Sequence, residues 1–342
     1  MTEPDIANRS VFAWLAALPR LAGVQTAGQR PLLWMTLKFA VTGTLLALVL
    51  QRVNLSAVLA NVRSASPLLL AVATGLFLLS PLLGGLRWWL VIGAMGSRVR
   101  VVPVTISYWS GVIFAQILPA IASDGVRIWM LTRQHAPLRT VVHSVIVERA
   151  FMLGVLLCAV VATQPLLLQR VGPVVPSWLG PVLLAAGIAG GLAVMAMGRI
   201  AEWAEGFRLL NPLVRLAADI RQVVLSVRIV PVLLLSLAAN FNFVLAAQAV
   251  GASLGLSLSL MDYLAFMPCV VVATILPISV NGWGVREGIL VAFLATVGVP
   301  AQTALAFSLL YGACSIFSTL LGLPLWWFSI APLVRGTSAL AE

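Results

Sequence analysis

Asp124, Arg127, Glu148, Arg149, Arg286 and Glu287 all fall inside or beside strongly apolar runs. An arginine at the centre of a membrane-crossing helix costs roughly 2.5–3.5 kcal/mol on insertion scales, so such residues need partners or a task. Arg127 follows Asp124-Gly125, and Arg286 follows Asn281-Gly282-Trp283-Gly284. A glycine turn of this kind can leave backbone N–H groups free. A guanidinium beside free amides receives a phosphate or carboxylate well, because arginine offers a planar donor fork. A second reading stands beside this one. Asp124 lies one helical turn before Arg127 and Glu287 adjoins Arg286, so both arginines could brace their own turns. Glu148-Arg149 reads as a cavity-lining acid and base, or as a buried ion pair.

Two interruptions of the apolar pattern carry these residues. Ile117-Leu118-Pro119 leads through Ser123, Asp124 and Gly125-Val126 to Arg127. Ile275-Leu276-Pro277 leads through Ser279, Asn281 and Gly284-Val285 to Arg286. Their starts are close to half of the 342 residues apart. Downstream, His135-Ala136-Pro137 and Gly298-Val299-Pro300 each open another apolar helix. This is an internal duplication. Paired Gly/Pro-broken apolar segments in matching positions of two halves point to a transporter's binding site.

The elements that position these turns must lie in a bilayer. Hydrophobic residues make up 61% of the chain, charged residues 9%, and the mean hydropathy is +1.07. That composition requires an all-α polytopic membrane protein. No polar stretch is long enough to form a soluble catalytic domain. The net charge is +11, yet Lys38 is the only lysine, and the arginines sit between apolar runs. They read as orientation signals and contacts to anionic head groups, not as a nucleic-acid surface. Cys158, Cys269 and Cys314 read as packing residues. A P-loop, a His-Glu-x-x-His pair and a Gly-x-Ser-x-Gly elbow are all missing. His135 and His143 have no accompanying ligand pattern. The expectation is a non-enzyme with no cofactor and no metal.

Positive-inside charge sets the topology. If every apolar run crossed, the basic 127–139 and 199–229 stretches would fall outside. If 104–133 and 259–298 are re-entrant hairpins, both stretches stay cytoplasmic. The prediction is therefore about six spans (32–50, 67–92, 141–162, 179–197, 231–250, 304–330) plus two inverted re-entrant hairpins. Their tips would meet near the midplane around a polar cavity. Residues 1–30 form a cytoplasmic or interfacial segment, with a short amphipathic helix at Val11–Leu21. Residues 31–335 form one transmembrane domain, with halves 31–198 and 230–335. The 199–229 stretch is a cytoplasmic amphipathic linker, and both termini are cytoplasmic in an inner membrane. Trp88-Trp89 and Trp326-Trp327 read as interface anchors, and Asp262 beside Tyr263 as interfacial.

These segments resemble the flippase-like membrane domain of the lysylphosphatidylglycerol synthase family, in its stand-alone, hopanoid-associated relatives that lack the soluble synthase domain. The likeness rests on Leu118-Pro119, Asp124-x-x-Arg127, Glu148-Arg149, Leu276-Pro277-Ile278-Ser279 and Gly282-Trp283-Gly284-Val285-Arg286-Glu287. Ala122-Ser123 departs from the Gly-Gly usual in the first motif. The resemblance implies movement of an amphiphilic, anionic or phosphate-bearing lipid between leaflets. Asp124, Arg127, Glu148, Arg149, Asn281, Arg286 and Glu287 would be the substrate-binding set. The partners would be a membrane lipid and, further, a partner enzyme or a second copy. A membrane-embedded enzyme or accessory subunit of lipid synthesis is the alternative.

Overall fold

The computed structural model describes residues 40–328, without 45–46, 49, 52, 117–119, 135, 173–175, 205–210, 276–278, 280–281 and 325. Among the described residues every regular element is a helix. After a helical stretch within 40–51 come α1 (Leu55–Ser64), α2 (Pro67–Ala94), α3 (Val101–Ala115) and α4 (Ala120–Thr132). Then follow α5 (Leu138–Val171), α6 (Leu179–Ala204), α7 (Asn211–Val224), α8 (Ile229–Ser253), α9 (Leu260–Ile275), α10 (Val285–Thr296) and α11 (Ala301–Leu320). Four of them, Pro67–Ala94, Leu138–Arg170, Ile229–Ser253 and Ala301–Leu320, are long and apolar enough to cross a membrane. Within α6 the apolar stretch Gly180–Ala193 is shorter. Most of the expected first span, and the Val11–Leu21 helix, lie outside the described residues.

The two short helix pairs are re-entrant hairpins of opposite sense. Trp88 and Ile92, late in α2, share a cluster with Val104 at the start of α3, Leu131 at the end of α4 and Val141 at the start of α5. The α3–α4 hairpin thus enters and returns at one end of the bundle. At the other end, Val250 of α8 packs with Tyr263 early in α9, Leu294 late in α10 and Ala304 early in α11. The Ser66 N–H donates to the Ser253 carbonyl there (2.9 Å), and Asn61 Nδ2 donates to Thr303 Oγ1 (3.2 Å). With 15 and 13 residues, then 16 and 12, the four hairpin helices are shorter than the roughly 20 residues a crossing needs.

The halves are interlocked rather than juxtaposed. α2 packs most extensively on α8, and α5 of the first half packs on α9 of the second. α11 returns to pack on α2 and α3. Asn242 of α8 donates through Nδ2 to the Leu76 carbonyl (2.7 Å) and Ser80 Oγ (2.9 Å) of α2, beside Pro81. Such polar bonds matter because lipid is as apolar as the packed interior.

One expectation changes and two gain detail. Trp88 is fully buried, with its indole N–H on Ser144 Oγ (2.9 Å), and is no interface anchor. Tyr263 is buried as well, and Asp262 stands in the first turn of α9 at the end of the bundle, where Ser259 N and Oγ donate to its Oδ2 (2.9 and 2.7 Å). Arg170 of α5 pairs with Asp262 at 3.1 Å. Finally, the linker helix α7 is docked on the protein. Leu216, Ala217, Ile220 and Val223 form its apolar stripe, and Val223 packs with Val91, Val147 and Val232. His143 of α5 pairs with Asp219 of α7, and Gln222 Nε2 donates to the Ala94 carbonyl (3.0 Å).

Candidate functional site

The first hairpin places its charges in one buried cluster. Glu148 is the hub, one turn beyond Ser144 on α5. Arg87 of α2 donates through Nε to Glu148 Oε1 (3.0 Å) and through Nη2 to the same oxygen. Arg127 of α4 donates to Glu148 Oε2 through Nη1 (3.3 Å) and Nη2 (3.4 Å). Arg127 Nε also donates to Asp124 Oδ1 (2.9 Å), and Arg149 pairs with Asp124 Oδ2 at 2.6 Å. The Arg127 guanidinium lies 5.0 Å from the Trp88 ring centroid and 5.2 Å from that of Tyr108. Arg87 and Glu148 are each 1% exposed and Arg127 is 4% exposed. Each charge therefore has an opposite charge in contact, as burial away from water demands.

The second hairpin repeats the plan with a different acid. Arg127 reaches α5 21 residues further on; Arg286 reaches α11 22 residues further on, at Ser308. Ser308 thus stands where the first half has Glu148, and the carboxylate moves to Glu287. Arg286 Nε donates to Glu287 Oε1 (3.0 Å) and Ser308 Oγ (3.1 Å), and Nη2 donates to Glu287 Oε1 (2.6 Å). Glu287 Oε2 accepts from the Gly284 N–H (2.5 Å), satisfying a free donor at the start of α10. The guanidinium sits 4.7 Å from the Trp283 ring centroid.

A cavity of about 240 Å³ lies where the hairpins converge. Its wall combines Gln116 from the end of α3 with Thr274, Trp283 and Arg286 of the second hairpin and Tyr311 and Ser315 of α11. Gln116 Nε2 donates to Thr319 Oγ1 (3.3 Å), which ties the first hairpin to α11 beside it. Among the described residues, Arg286 Nη1 has no hydrogen-bond partner and Arg127 and Arg149 are not part of the wall. Arg286 supplies the cationic donors of this cavity, and Arg127 is occupied in its own cluster.

The sequence-predicted set therefore divides in two. Asp124, Arg127, Glu148 and Arg149 meet in the first cluster, and Arg286 and Glu287 in the second. Asn281 lies outside the described residues. Sequence reasoning missed Arg87, whose signal was a lone arginine inside a long span just after Gly84-Gly85. Ser308 and Gln116 were missed as well, since neither differs from ordinary polar residues of a membrane helix.

The profile of the lysylphosphatidylglycerol synthase TM region matches residues 35–322. The chain belongs to this family. No curated protein matches it significantly in sequence. The family is one of membrane proteins tied to lipid modification or transport, and both hairpins and both charged clusters fall within the matched segment.

Gly282 and Gly284 set the second turn at φ +77° and +84°. A Cβ on Gly282 would also lie 2.7 Å from Thr274 Cβ, in the cavity wall. Gly282→Ala is expected to lower stability by about 1–3 kcal/mol, the cost of a strained left-handed residue. Thermal unfolding of the purified protein in detergent checks this, and an unchanged midpoint would contradict the turn geometry.

Proposed function

We propose that the protein moves an anionic or phosphate-bearing lipid between the leaflets of the inner membrane. The observation that carries this reading is Arg286 in the wall of the cavity between two inverted hairpins, its Nη1 without a hydrogen-bond partner among the described residues. A guanidinium anchored on one edge by Glu287 and Ser308 keeps its other edge for a phosphate oxygen. The inverted hairpins supply two related elements that can rock about such a site, as in alternating access. Arg98, Arg100, Arg133, Arg139, Arg215 and Arg221 gather at the end where α3 begins and α4 returns, and that end faces the cytoplasm in this reading.

The state of the acids favours transport over catalysis. Glu148 lies between Arg87 and Arg127, Asp124 between that same Arg127 and Arg149, and Glu287 is held by Arg286 and the Gly284 amide. General acid–base work needs a carboxyl in reach of substrate with a suitable pKa; these three are occupied by structure. The test is leaflet translocation in proteoliposomes across a panel of head groups. Head-group-selective movement is expected; turnover of lipid in detergent without movement would favour the enzyme.

A further inference from the structure

A second, narrow crevice of about 60 Å³ lies between α5, α8 and α9. It shares Phe243, Met267 and Val271 with the polar cavity, so these three residues form the partition between the two spaces. Its far wall is Ala159 and Thr163 of α5 and Leu237 and Phe241 of α8. Leu237 and Phe241 are 55% and 40% exposed on a helix apolar enough to cross a membrane, so this side faces acyl chains. Pro268 also lines the crevice, and it has no N–H to bond the Leu264 carbonyl one turn back. α9 thus lacks a backbone bond beside the partition.

We infer that this crevice seats a short segment of an acyl chain, a few methylene groups long, of the lipid whose head group occupies the Arg286 cavity. The inference rests on the transport reading. A lipid held by its head group must still place its chains. A polar cavity separated from membrane-facing apolar residues by three apolar side chains gives one chain a path out of the site without crossing polar surface. Phe243, Met267 and Val271 are then the gate between head-group and chain compartments, and movement of their side chains joins the two. Because chain contact is apolar and non-directional, the crevice selects for chain shape and leaves head-group choice to Arg286.

The test uses the full chain in phosphatidylcholine nanodiscs. They are doped with phosphatidylglycerol carrying a diazirine in the middle of one acyl chain, or with phosphatidylcholine carrying the same group. After photolysis, adducts are mapped by peptide mass spectrometry. The expected result is phosphatidylglycerol adducts concentrated on the peptides around 156–163, 237–244 and 264–271. Labelling there should fall to background in Ala159→Trp, which fills the crevice, while the Arg286-dependent enrichment of phosphatidylglycerol over phosphatidylcholine among co-purified lipids persists. Ala159→Leu, a milder filling, should give a partial loss if the larger side chain unfolds the protein. Adducts spread evenly over all membrane-facing helices, with head-group preference intact, would overturn the acyl crevice and leave the transport reading standing. Equal labelling of these peptides by phosphatidylcholine would overturn the link between the crevice and an anionic head group at Arg286, while the transport reading falls only if the translocation panel shows no movement.

Discussion

Glu148→Ala is expected to destabilise the protein by about 3–5 kcal/mol, the usual cost of breaking a buried ion pair from one side. Glu148 is 1% exposed and is the acid that meets both Arg87 and Arg127. Its removal leaves Arg87 buried without a carboxylate, while Arg127 keeps only Asp124. Stability in the range of 5–15 kcal/mol leaves little margin for such a loss. The measurement is thermal unfolding in detergent followed by tryptophan fluorescence, with Trp88 beside the cluster as a native reporter. The reverse experiment separates charge from packing. Arg87→Met combined with Glu148→Leu removes both unlike charges and should recover much of the stability, because well-packed apolar pairs replace buried ion pairs at little cost. A Glu148→Ala protein as stable as the original would mean that water or lipid head groups already solvate these arginines.

Arg286→Ala is expected to abolish head-group selectivity and to slow translocation roughly ten- to hundredfold. A hydrogen bond to a charged group contributes about 1.5–3 kcal/mol, and 1.4 kcal/mol corresponds to tenfold. Glu287 keeps the Gly284 amide and Ser308 after the change, so the turn retains part of its support. Arg286→Lys keeps the charge without the fork and should restore only part of the rate. This contrast tells a binding role from a bracing one: a brace would be read in unfolding midpoints, a receptor in the dependence of rate on head group.

The hairpins were legible because proline and glycine interrupt an otherwise monotonous apolar text, and because charge must sort to one side of a bilayer. The shortness of the apolar run from Val104 to Leu118 and the basic 127–139 stretch already pointed to re-entry. The structure adds the physical counterpart, a cluster joining Val104 to Leu131 at one end. What could not be read was which face of an apolar helix meets protein. α2 is apolar nearly all round, so neither Trp88 nor Arg87 announced its orientation. Lipid and packed protein are equally apolar, and the periodicity that marks a core in water is lost. α7 shows the contrast: its amphipathic character was visible in sequence because exposed Arg215 and Arg221 alternate with apolar residues, and the structure adds that Ala217 and Val223 are the buried ones. The candidate site was half legible. Arg286 and Glu287 stood out as charges in a glycine turn, whereas the division of labour between the two arginines arose from Glu148 and Ser308 occupying matching places on α5 and α11.

The most direct measurement is the rate at which labelled lipids change leaflet in proteoliposomes, for the unaltered protein and for Arg286→Ala. The panel should contain anionic, zwitterionic and polyprenyl-phosphate lipids. The proposed mechanism predicts movement of one phosphate-bearing class well above the protein-free rate, and its loss in the variant while the folded protein persists. Equal movement of every head group, or rates indifferent to Arg286 in protein shown to be folded, would contradict the claim that the cavity between the hairpins is a lipid head-group site.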